Sequence, residues 1–375
     1  MKLAFILTSL ILGSGLTNMS VEPGSKLYLD QTGPKPIDEF LKLKWEVEVT
    51  CNNAVPATYD NYLYTCENFA IDALKGDKVS LEMFEKEYSD SILIYSTDLK
   101  LKVRNLNNRN YSFEETRKRS YYIGSEQIEL TRDSIWVEVV DDKEVRGVNL
   151  NEKKIIWKVA TNSRIFNKPI VVANEIYLVD QTHLIVFDKL NGELVSKHPL
   201  GGTTLSGITY HQGHLYMVVK NVGLIAFNLD DKKISWVFEM STYSSKINRV
   251  VVEKDKIYVT DNSLYAINRF DGKLIWKIGE EEGIYIYRTE LNKVKDYLIF
   301  YSLEDNDPIL TVANKANGEI LYQGFNSNIV GGNKDNPDNV ASEDLFMIMF
   351  KEDLIDNKIL VGVMDGKIYG FELLK

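Results

Sequence analysis

The chain has 375 residues, of which 44% are hydrophobic, 26% charged and 11% aromatic. This composition is typical of a folded protein and excludes disordered and fibrous classes. The 54 acidic and 44 basic residues give a net charge of -10, with both signs mixed along the chain. Nucleic-acid binding relies on clustered lysines and arginines, so we expect no nucleic-acid partner.

The first twenty residues have the pattern of a secretory signal peptide. Lys2 is followed by the largely apolar run Leu3–Leu12 and then by small residues. This run is shorter than the roughly 20 apolar residues that span a bilayer. We therefore assign residues 1–20 to a signal peptide and residues 21–40 to an N-terminal linker. We expect a secreted or periplasmic protein without an integral membrane segment; an uncleaved membrane anchor is the alternative.

The chain has two cysteines, Cys51 and Cys66, fifteen positions apart. In an exported protein such a pair favours a disulfide, which would stabilise a loop of this size by about 3 kcal/mol. A metal or redox pair is the alternative, although the spacing differs from the Cys-x-x-Cys pattern of such sites.

An internal repeat of about 41 residues dominates the rest of the chain. Short β-rich runs begin at residues 92, 135, 176, 215, 257, 298 and 359, which are 43, 41, 39, 42, 41 and 61 positions apart. A fixed period of this length indicates a repeat fold. An earlier run, Tyr62-Leu63-Tyr64, lies only 29–30 positions before the first of these.

The unit around residues 249–277 shows the repeat best. It predicts four strands, at residues 249–252, 256–260, 263–268 and 273–277, separated by turns rich in Asp, Asn and Gly. Alternating β-branched and aromatic residues between such turns are strand and hairpin signals. Four strands in a repeat of this length are the signature of a β-propeller blade.

The turn after each third strand can be followed through the chain. The strand ends at a small polar or acidic residue whose side chain can bond the following backbone, at Asp72, Asn105, Asn149, Asp188, Asn228, Asn268, Asn314 and Glu372. Four positions later a glycine, which tolerates a positive φ, recurs at Gly76, Gly192, Gly272 and Gly318. Eight positions later lie the aromatic residues Phe113, Trp157, Trp236, Trp276 and Tyr322, with serines at Ser80 and Ser196.

The two ends of the chain complete one blade. After Glu372 no fourth strand follows, whereas residues 41–49, which include Trp45, have the alternation of an isolated fourth strand. We predict an all-β fold, with residues 41–375 forming an eight-bladed β-propeller closed by the N-terminal strand joining the C-terminal blade. Seven blades is the alternative, because the first step is about one strand too short. Either the first unit lacks a strand or residues 80–84 form the inner strand of the second.

The segment Ala266-Ile-Asn-Arg-Phe-Asp271-Gly272-Lys-Leu-Ile-Trp276 resembles the repeat motif of the pyrroloquinoline-quinone-like (PQQ-like) β-propellers. The resemblance covers roughly residues 41–375. That family includes both quinoprotein dehydrogenases and the non-enzymatic outer-membrane assembly lipoproteins of the BamB type, so it implies the fold more than the activity. The enzymes typically carry adjacent cysteines against the cofactor, calcium ligands and a catalytic Asp. Cys51 and Cys66 are not adjacent and no such cluster is matched here, so the resemblance implies the BamB-like branch. The chain also lacks the lipid-anchor cysteine of the assembly lipoprotein.

Two other sets of residues could carry chemistry. His211-Gln212-Gly213-His214 could supply two metal ligands, but a zinc site needs three or four and the segment is predicted to be a tight turn, so we expect no metal. The tryptophans at positions 45, 157, 236 and 276 could form a ligand cage. Their recurrence on outer strands favours packing between blades instead.

The 61-residue step contains about twenty extra residues, between positions 326 and 344. Long insertions on a rigid fold are often functional. Loops alternate between the two faces of a blade, so this insertion should share a face with the turn at residues 304–307. We predict an acidic, Asn-rich partner-binding face that includes Asp305, Asp307, Asn333, Lys334, Asp335 and Asp338. A calcium site and a disordered loop are the alternatives.

The sequence thus predicts a monomeric, exported β-propeller that works as a non-catalytic scaffold for protein–protein interaction and needs no cofactor. A quinoprotein oxidoreductase that binds pyrroloquinoline quinone and calcium is the first alternative. An enzyme acting on sugars or peptides, with acids converging from several blades, is the second.

Overall fold

A computed structural model of the chain describes residues 34–49, 57–59, 61–64, 69–80, 92–97, 100–105, 112–116, 128–130, 135–140, 143–149, 152, 154–165, 167–240, 250–279, 284–286, 291–304, 307–330, 349–350, 355–364 and 366–374. These residues are almost entirely β-strand. The predicted signal peptide and the two cysteines lie outside the described residues. So do Asp305, Asn333, Lys334, Asp335 and Asp338.

The strands are numbered in chain order. Before residue 120 they are β1 (Lys35–Pro36), β2 (Leu41–Glu48), β3 (Ala57–Tyr59), β4 (Tyr62–Tyr64), β5 (Phe69–Asp72), β6 (Lys78–Ser80), β7 (Ile92–Thr97), β8 (Lys100–Asn105) and β9 (Ser112–Thr116). Up to residue 240 they are β10 (Ile128–Leu130), β11 (Ile135–Val140), β12 (Glu144–Asn149), β13 (Lys154–Ala160), β14 (Ile170–Val172), β15 (Glu175–Val179), β16 (His183–Asp188), β17 (Leu194–Pro199), β18 (Thr209–His211), β19 (His214–Val219), β20 (Gly223–Asn228) and β21 (Lys233–Phe238).

The remaining strands are β22 (Val250–Val252), β23 (Lys256–Thr260), β24 (Leu264–Asn268), β25 (Leu274–Ile278), β26 (Tyr285–Ile286), β27 (Asn292–Val294), β28 (Tyr297–Glu304), β29 (Asp307–Asn314), β30 (Ile320–Gly324), β31 (Met349–Phe350), β32 (Ile359–Met364) and β33 (Lys367–Leu373). A 3-10 turn spans Ile37–Glu39, and a short helix, α1, spans Asn326–Val330.

Within the described residues the strands form eight sheets, which we number in chain order. Sheets 1 to 6 are β3–β6, β7–β9, β10–β13, β14–β17, β18–β21 and β22–β25; sheet 7 contains β26–β30 with β1, and sheet 8 contains β31–β33 with β2. Neighbouring strands within each unit are antiparallel and mostly consecutive, as in propeller blades. The repeat of 249–277 is confirmed, with strands beginning within one residue of the predicted positions.

The predicted pairing of the chain ends is present. β2 runs antiparallel to β33, with Lys42 opposite Glu372 and Glu48 opposite Lys367. The fourth strand of sheet 8 therefore comes from the other end of the chain.

The short step after residue 62 does not come from a strand missing in sheet 1, which has all four. Ser80 ends its fourth strand, β6, and does not begin an inner strand of sheet 2. Six outer strands, β2, β13, β17, β21, β25 and β30, carry a β-bulge beside the aromatic position, whereas β6 and β9 pair with their third strands without one. Val79 therefore stands opposite Ala70 where a bulged strand would place Ser80.

Sheet 4 contributes both of its faces to the core. On β15, Tyr177 and Val179 pack against sheet 5, whereas Ile176 and Leu178 pack against sheet 3. Strands buried on both faces read as continuous apolar runs instead of alternating ones. This is why the second and third strands gave the clearest periodic signal in the sequence.

The turn after the third strand has the predicted geometry. The side-chain oxygen of Asn268 accepts a bond from the backbone N–H of Phe270, and its carbonyl accepts the N–H of Gly272. The four predicted glycines, Gly76, Gly192, Gly272 and Gly318, have φ between 71° and 81°. Lys232 occupies the equivalent position in sheet 5 and also adopts a positive φ, of 52°.

Tryptophans connect one sheet to the next, as the sequence predicted. The indole of Trp157 lies over Gly192 of the following sheet and donates to the carbonyl of Lys189, at 2.7 Å. Trp236 lies over Gly272 and Trp45 over Gly76 in the same way, each donating to the equivalent carbonyl. We call this arrangement the tryptophan contact.

The last residues of the expected linker take part in the core. β1 pairs parallel with β30, and the side chains of Ile37 and Phe40 are fully buried between sheets 7 and 8. The Phe40 ring lies 5.0 Å from that of Tyr297 and 5.1 Å from that of Tyr322. At this interface β33 and β2 have no connecting turn, and residues 35–41 occupy its place.

The tryptophan contact predicts a difference between two glycine substitutions. A Cβ on Gly272 would lie 2.7 Å from Cε3 of Trp236, whereas a Cβ on Gly213 has nothing within 4 Å; both glycines have φ above 70°. Gly213→Ala should therefore reduce the free energy of unfolding only by the cost of a positive φ in alanine, about 1 kcal/mol. Gly272→Ala should reduce the free energy of unfolding by about 2–4 kcal/mol, because the indole of Trp236 must also move. Urea unfolding of both variants measures this, and equal losses would contradict the role assigned to the indole.

Candidate protein-interaction faces

The course of the strands gives the sheets two distinct ends. The turns between second and third strands, and the segments from sheet to sheet, lie at one end, which we call the connector face. Its turns lie at residues 180–183, 220–222, 261–263 and 304–307. The turns between first and second strands and between third and fourth strands lie at the other end, the hairpin face, for example at residues 188–192 and 268–272.

Of the partner-site residues predicted from the sequence, Asp307 alone lies within the described residues. Its backbone pairs with Glu304 at the start of β29, on the connector face. α1, which follows β30, leads from the same end of sheet 7 into the insertion. The grouping of Asp305, Asn333, Lys334, Asp335 and Asp338 with Asp307 therefore stays a prediction.

Asp180 is a buried acid on the connector face, 2% exposed. Its carboxylate accepts the backbone N–H groups of Thr182 and His183, and Nζ of Lys197 lies 3.2 Å from Oδ2. Burial by itself raises the pKa of Asp180, but these three donors outweigh it and lower the pKa below its ordinary value. Asp180 is thus an ionised cap of its turn.

Asp261 holds the equivalent place in sheet 6, but there the effect of burial on the pKa outweighs the effect of the hydrogen-bond donors. Oδ1 accepts the N–H of Ser263 at 2.7 Å and the Tyr265 hydroxyl lies 3.3 Å from Oδ2. Burial raises the pKa of Asp261 and these neutral donors offset it only in part. From the sequence this segment is predicted only as a turn. An acid directly after a buried second strand is the signal that identifies such a cap.

The hairpin face carries a recurring polar contact between sheets. The second-strand tyrosine of each of three sheets, Tyr177, Tyr216 or Tyr258, bonds with an acid or with a cationic residue of the next sheet. In sheet 6 the Tyr258 hydroxyl donates to the carbonyl of Lys315, whose Nζ lies 3.0 Å from Glu253. Burial raises the pKa of Tyr258 well above its ordinary value. Tyr177 and Tyr258 stay protonated and act as donors, whereas the Tyr216 hydroxyl accepts a bond from the guanidinium of Arg269.

The interface between sheets 4 and 5 departs from the tryptophan contact at every position. Ser196 replaces the tryptophan, and Val186 stands opposite it where the tryptophan-bearing sheets have Gly or Ala. Lys232 occupies the position of the turn glycine, and its Nζ lies 2.5 Å from Oε1 of Glu175. His198 fills the next position on the same side of β17, with Nε2 2.9 Å from Oγ of Ser196 and its ring 5.1 Å from that of Phe227.

Ionic and polar groups thus replace the indole at this interface. Burial, reinforced by the nearby ammonium of Lys232, lowers the pKa of His198 below its ordinary value. Burial alone would raise the pKa of Glu175, but hydrogen bonds from Lys232 and Tyr177 lower it. The neutral imidazole and the ionised pair are therefore the forms that stabilise this interface near neutral pH.

The four histidines lie at three different places in the fold, and only His211 and His214, the candidate pair of the sequence, stand opposite each other. His183 lies on the connector face, His198 between sheets 4 and 5, and His211 and His214 on the hairpin face. Within the described part of the chain, no three His, Cys, Asp or Glu side chains are placed to hold a metal ion. No helix in that part is long and apolar enough to cross a membrane.

The fold has counterparts among known proteins. Residues 181–336 match the family model described as outer membrane protein assembly factor BamB. The crystal structure of BamB from Moraxella catarrhalis superposes with a TM-score of 0.58 at 14% identity, covering 89% of this chain and all of that one. The computationally designed Ika8 protein also gives a TM-score of 0.58, at 11% identity, covering 88% of this chain and all of that one. No curated protein matches the chain in sequence.

These findings define an all-β repeat protein with the architecture of a β-propeller. More particularly, residues 181–336 match a PQQ-like repeat family and the chain is similar in fold to BamB, as the motif at residues 266–276 indicated.

The two connector-face acids should respond oppositely to loss of charge. At pH 7, Asp180→Asn should cost about 1–3 kcal/mol, because it removes the charge that binds Lys197 and two N–H groups. Asp261→Asn should change stability by less than about 0.5 kcal/mol or raise it, because burial already disfavours that charge. Urea unfolding at pH 7 tests this pair.

The pH dependence separates the two acids further. The pKa of Asp180 is lowered by folding, so its contribution is present above the unfolded value of about 3.9 and is lost as pH falls through the folded value. The pKa of Asp261 is raised, so its carboxylate disfavours folding at neutral pH and this cost disappears on acidification. On acidification Asp180→Asn should lose less stability than wild type and Asp261→Asn should lose more, and the reverse order would contradict both assignments.

His198 should make the interface between sheets 4 and 5 sensitive to acid. Its folded pKa lies below the unfolded value of about 6.5, so its contribution is full above that pH and is lost as pH falls below it. His198→Val installs the residue found at the equivalent Val47 and Val159. The fall in Tm from pH 7.5 to 5 should therefore be smaller in this variant than in wild type, and an equal fall would contradict the role given to His198.

Proposed function

We propose that the chain is an exported, non-catalytic β-propeller of eight blades that binds a protein partner in the cell envelope. The observation that carries this proposal is the likeness in fold to BamB over nearly the whole chain, together with the family match at residues 181–336. The description of that family names outer membrane protein assembly, which favours an envelope role here. The eight sheets, and the β2–β33 pairing that joins the two chain ends, support eight blades in a closed ring.

The connector face is the proposed binding surface. The hairpin face carries the tryptophan contacts and the tyrosine contacts, so its turns are occupied by bonds between sheets. The connector face carries the segments whose length varies between repeats, including the insertion that follows α1. Change on that face leaves the contacts between sheets intact, as expected of a surface that recognises a partner.

The charge of this face suggests the chemistry of the partner. Residues 304–307 contain three acids, and residues 326–344 contain four acids and one lysine. Asp305, Asp307, Asn333, Lys334, Asp335 and Asp338 form the proposed contact set. We propose a partner with a basic surface, because complementary charge speeds association and fixes orientation.

The experiment is a pull-down from native cell envelopes with the exported protein and two variants. In the first, residues 331–339 are replaced by a short Gly-Ser link. In the second, Asp305 and Asp307 become Asn. Both should lose the captured protein. The matched control is Asp230→Asn with Asp231→Asn, which removes two exposed acids from the hairpin face and should keep it.

Two outcomes would contradict the proposal. Capture that the control abolishes and the connector-face variants retain would move the binding surface to the hairpin face. Failure to capture any protein, combined with new visible absorbance and a higher Tm on addition of pyrroloquinoline quinone and calcium, would favour the quinoprotein alternative.

A further inference from the structure

The outer edges of the sheets differ in how they are protected against pairing with another strand. An uncovered edge strand invites such pairing, and charged side chains within the strand discourage it. Among the described outer strands of five or more residues, β2, β9, β13, β17 and β25 each carry a charged residue after their first position. Lys158, Lys197 and Lys277 occupy equivalent positions in three of them.

Two outer strands, β21 and β30, have uncharged interiors. The edge of β30 is covered by the chain itself, because Lys35 and Pro36 of β1 pair with Tyr322 and Gln323. β21 is the last strand of sheet 5, and no described strand pairs with its outer edge. Val237 stands at the position of Lys158, Lys197 and Lys277.

The side chains of β21 favour an apolar contact. Ile234 is 40% exposed and Val237 is 43% exposed, and the residues between Lys233 and Glu239 are uncharged. The two charged residues lie three positions on either side of Trp236 and have opposite sign. Antiparallel pairing of two copies of β21 about Trp236 therefore places Lys233 of each copy opposite Glu239 of the other.

We propose that β21 is a self-association edge, through which two copies of this chain pair antiparallel about a twofold axis. Such a contact is isologous, so both ion pairs form together and the interface is closed. Opposite charges directly across two strands stabilise their pairing. The contact is independent of the connector face proposed for the partner, and it departs from the monomer expected from the sequence.

The expected association is weak. Six residues a side bury less than the ~1,200 Å² of a standard stable interface, so we expect a dissociation constant in the micromolar range or weaker. Sedimentation velocity of the full exported chain over a wide concentration range should show a reversible monomer–dimer equilibrium. A chain that remains monomeric at millimolar concentration would overturn the proposal.

Val237→Lys should abolish the dimer, because it installs the charge that the equivalent strands carry. The matched control is Val195→Lys on β17, at a valine of similar exposure, 46%, which should leave the equilibrium unchanged. Circular dichroism and Tm verify that both variants fold. Equal effects of the two substitutions would show that general surface charge, and not this edge, controls association.

A charge exchange tests the register. Lys233→Glu and Glu239→Lys should each abolish self-association, because each places like charges opposite one another. Mixed together, the two variants should form a heterodimer, because each unlike pair is then restored. The double variant in one chain should dimerise as wild type does. Failure of both the mixture and the double variant to associate would overturn the antiparallel register.

Discussion

The contact of one indole with the turn of the next sheet organises the fold at four of the interfaces between sheets. It needs three residues at once: a tryptophan on the outer strand, a Gly or Ala opposite it within the same sheet, and a glycine in the following turn. A side chain at either small position would occupy the space of the ring. Because these positions belong to two different sheets, the contact forms only when the two neighbouring sheets are correctly placed relative to each other. This is how a chain of marginally stable four-stranded sheets becomes one body.

The exceptions follow the same physics. Between sheets 4 and 5 all three positions change together, and an ion pair with a histidine replaces the indole. Trp276 keeps its place over Gly318, but its N–H has no hydrogen-bond partner among the described residues, because Tyr258 donates to the carbonyl of Lys315. Between sheets 7 and 8 there is no turn to contact, and the buried Ile37 and Phe40 take its place. Each of these described interfaces is thus filled, although by different chemistry.

Much of this could be predicted from the sequence, because strand period, turn residues and tryptophan spacing are local signals. The strands of 256–277 and the positive φ at Gly272 depend on a few neighbouring residues. The bulge missing from β6, which moves Val79 into the place expected for Ser80, depends on how two strands pair and leaves no local signal. The opposite pKa shifts of Asp180 and Asp261 depend on the hydrogen bond that Lys197 gives Asp180, whereas the equivalent Lys277 influences Asp261 through its charge. The core position of Ile37 depends on the far end of the chain.

The two faces constrain the sequence differently, and this difference explains why the repeat motif indicates the fold more than the function. The repeat motif consists of residues that make the bonds of the hairpin face, since those bonds require particular residues at fixed spacing. The connector face has no such demand, and its segments can lengthen, as after α1, without disturbing a single indole. Recognition can therefore evolve there without trace in the motif. The outer edges have the same freedom. At position 237 this chain has a valine where three equivalent strands have a lysine, and this single difference distinguishes an edge that can pair from one that cannot.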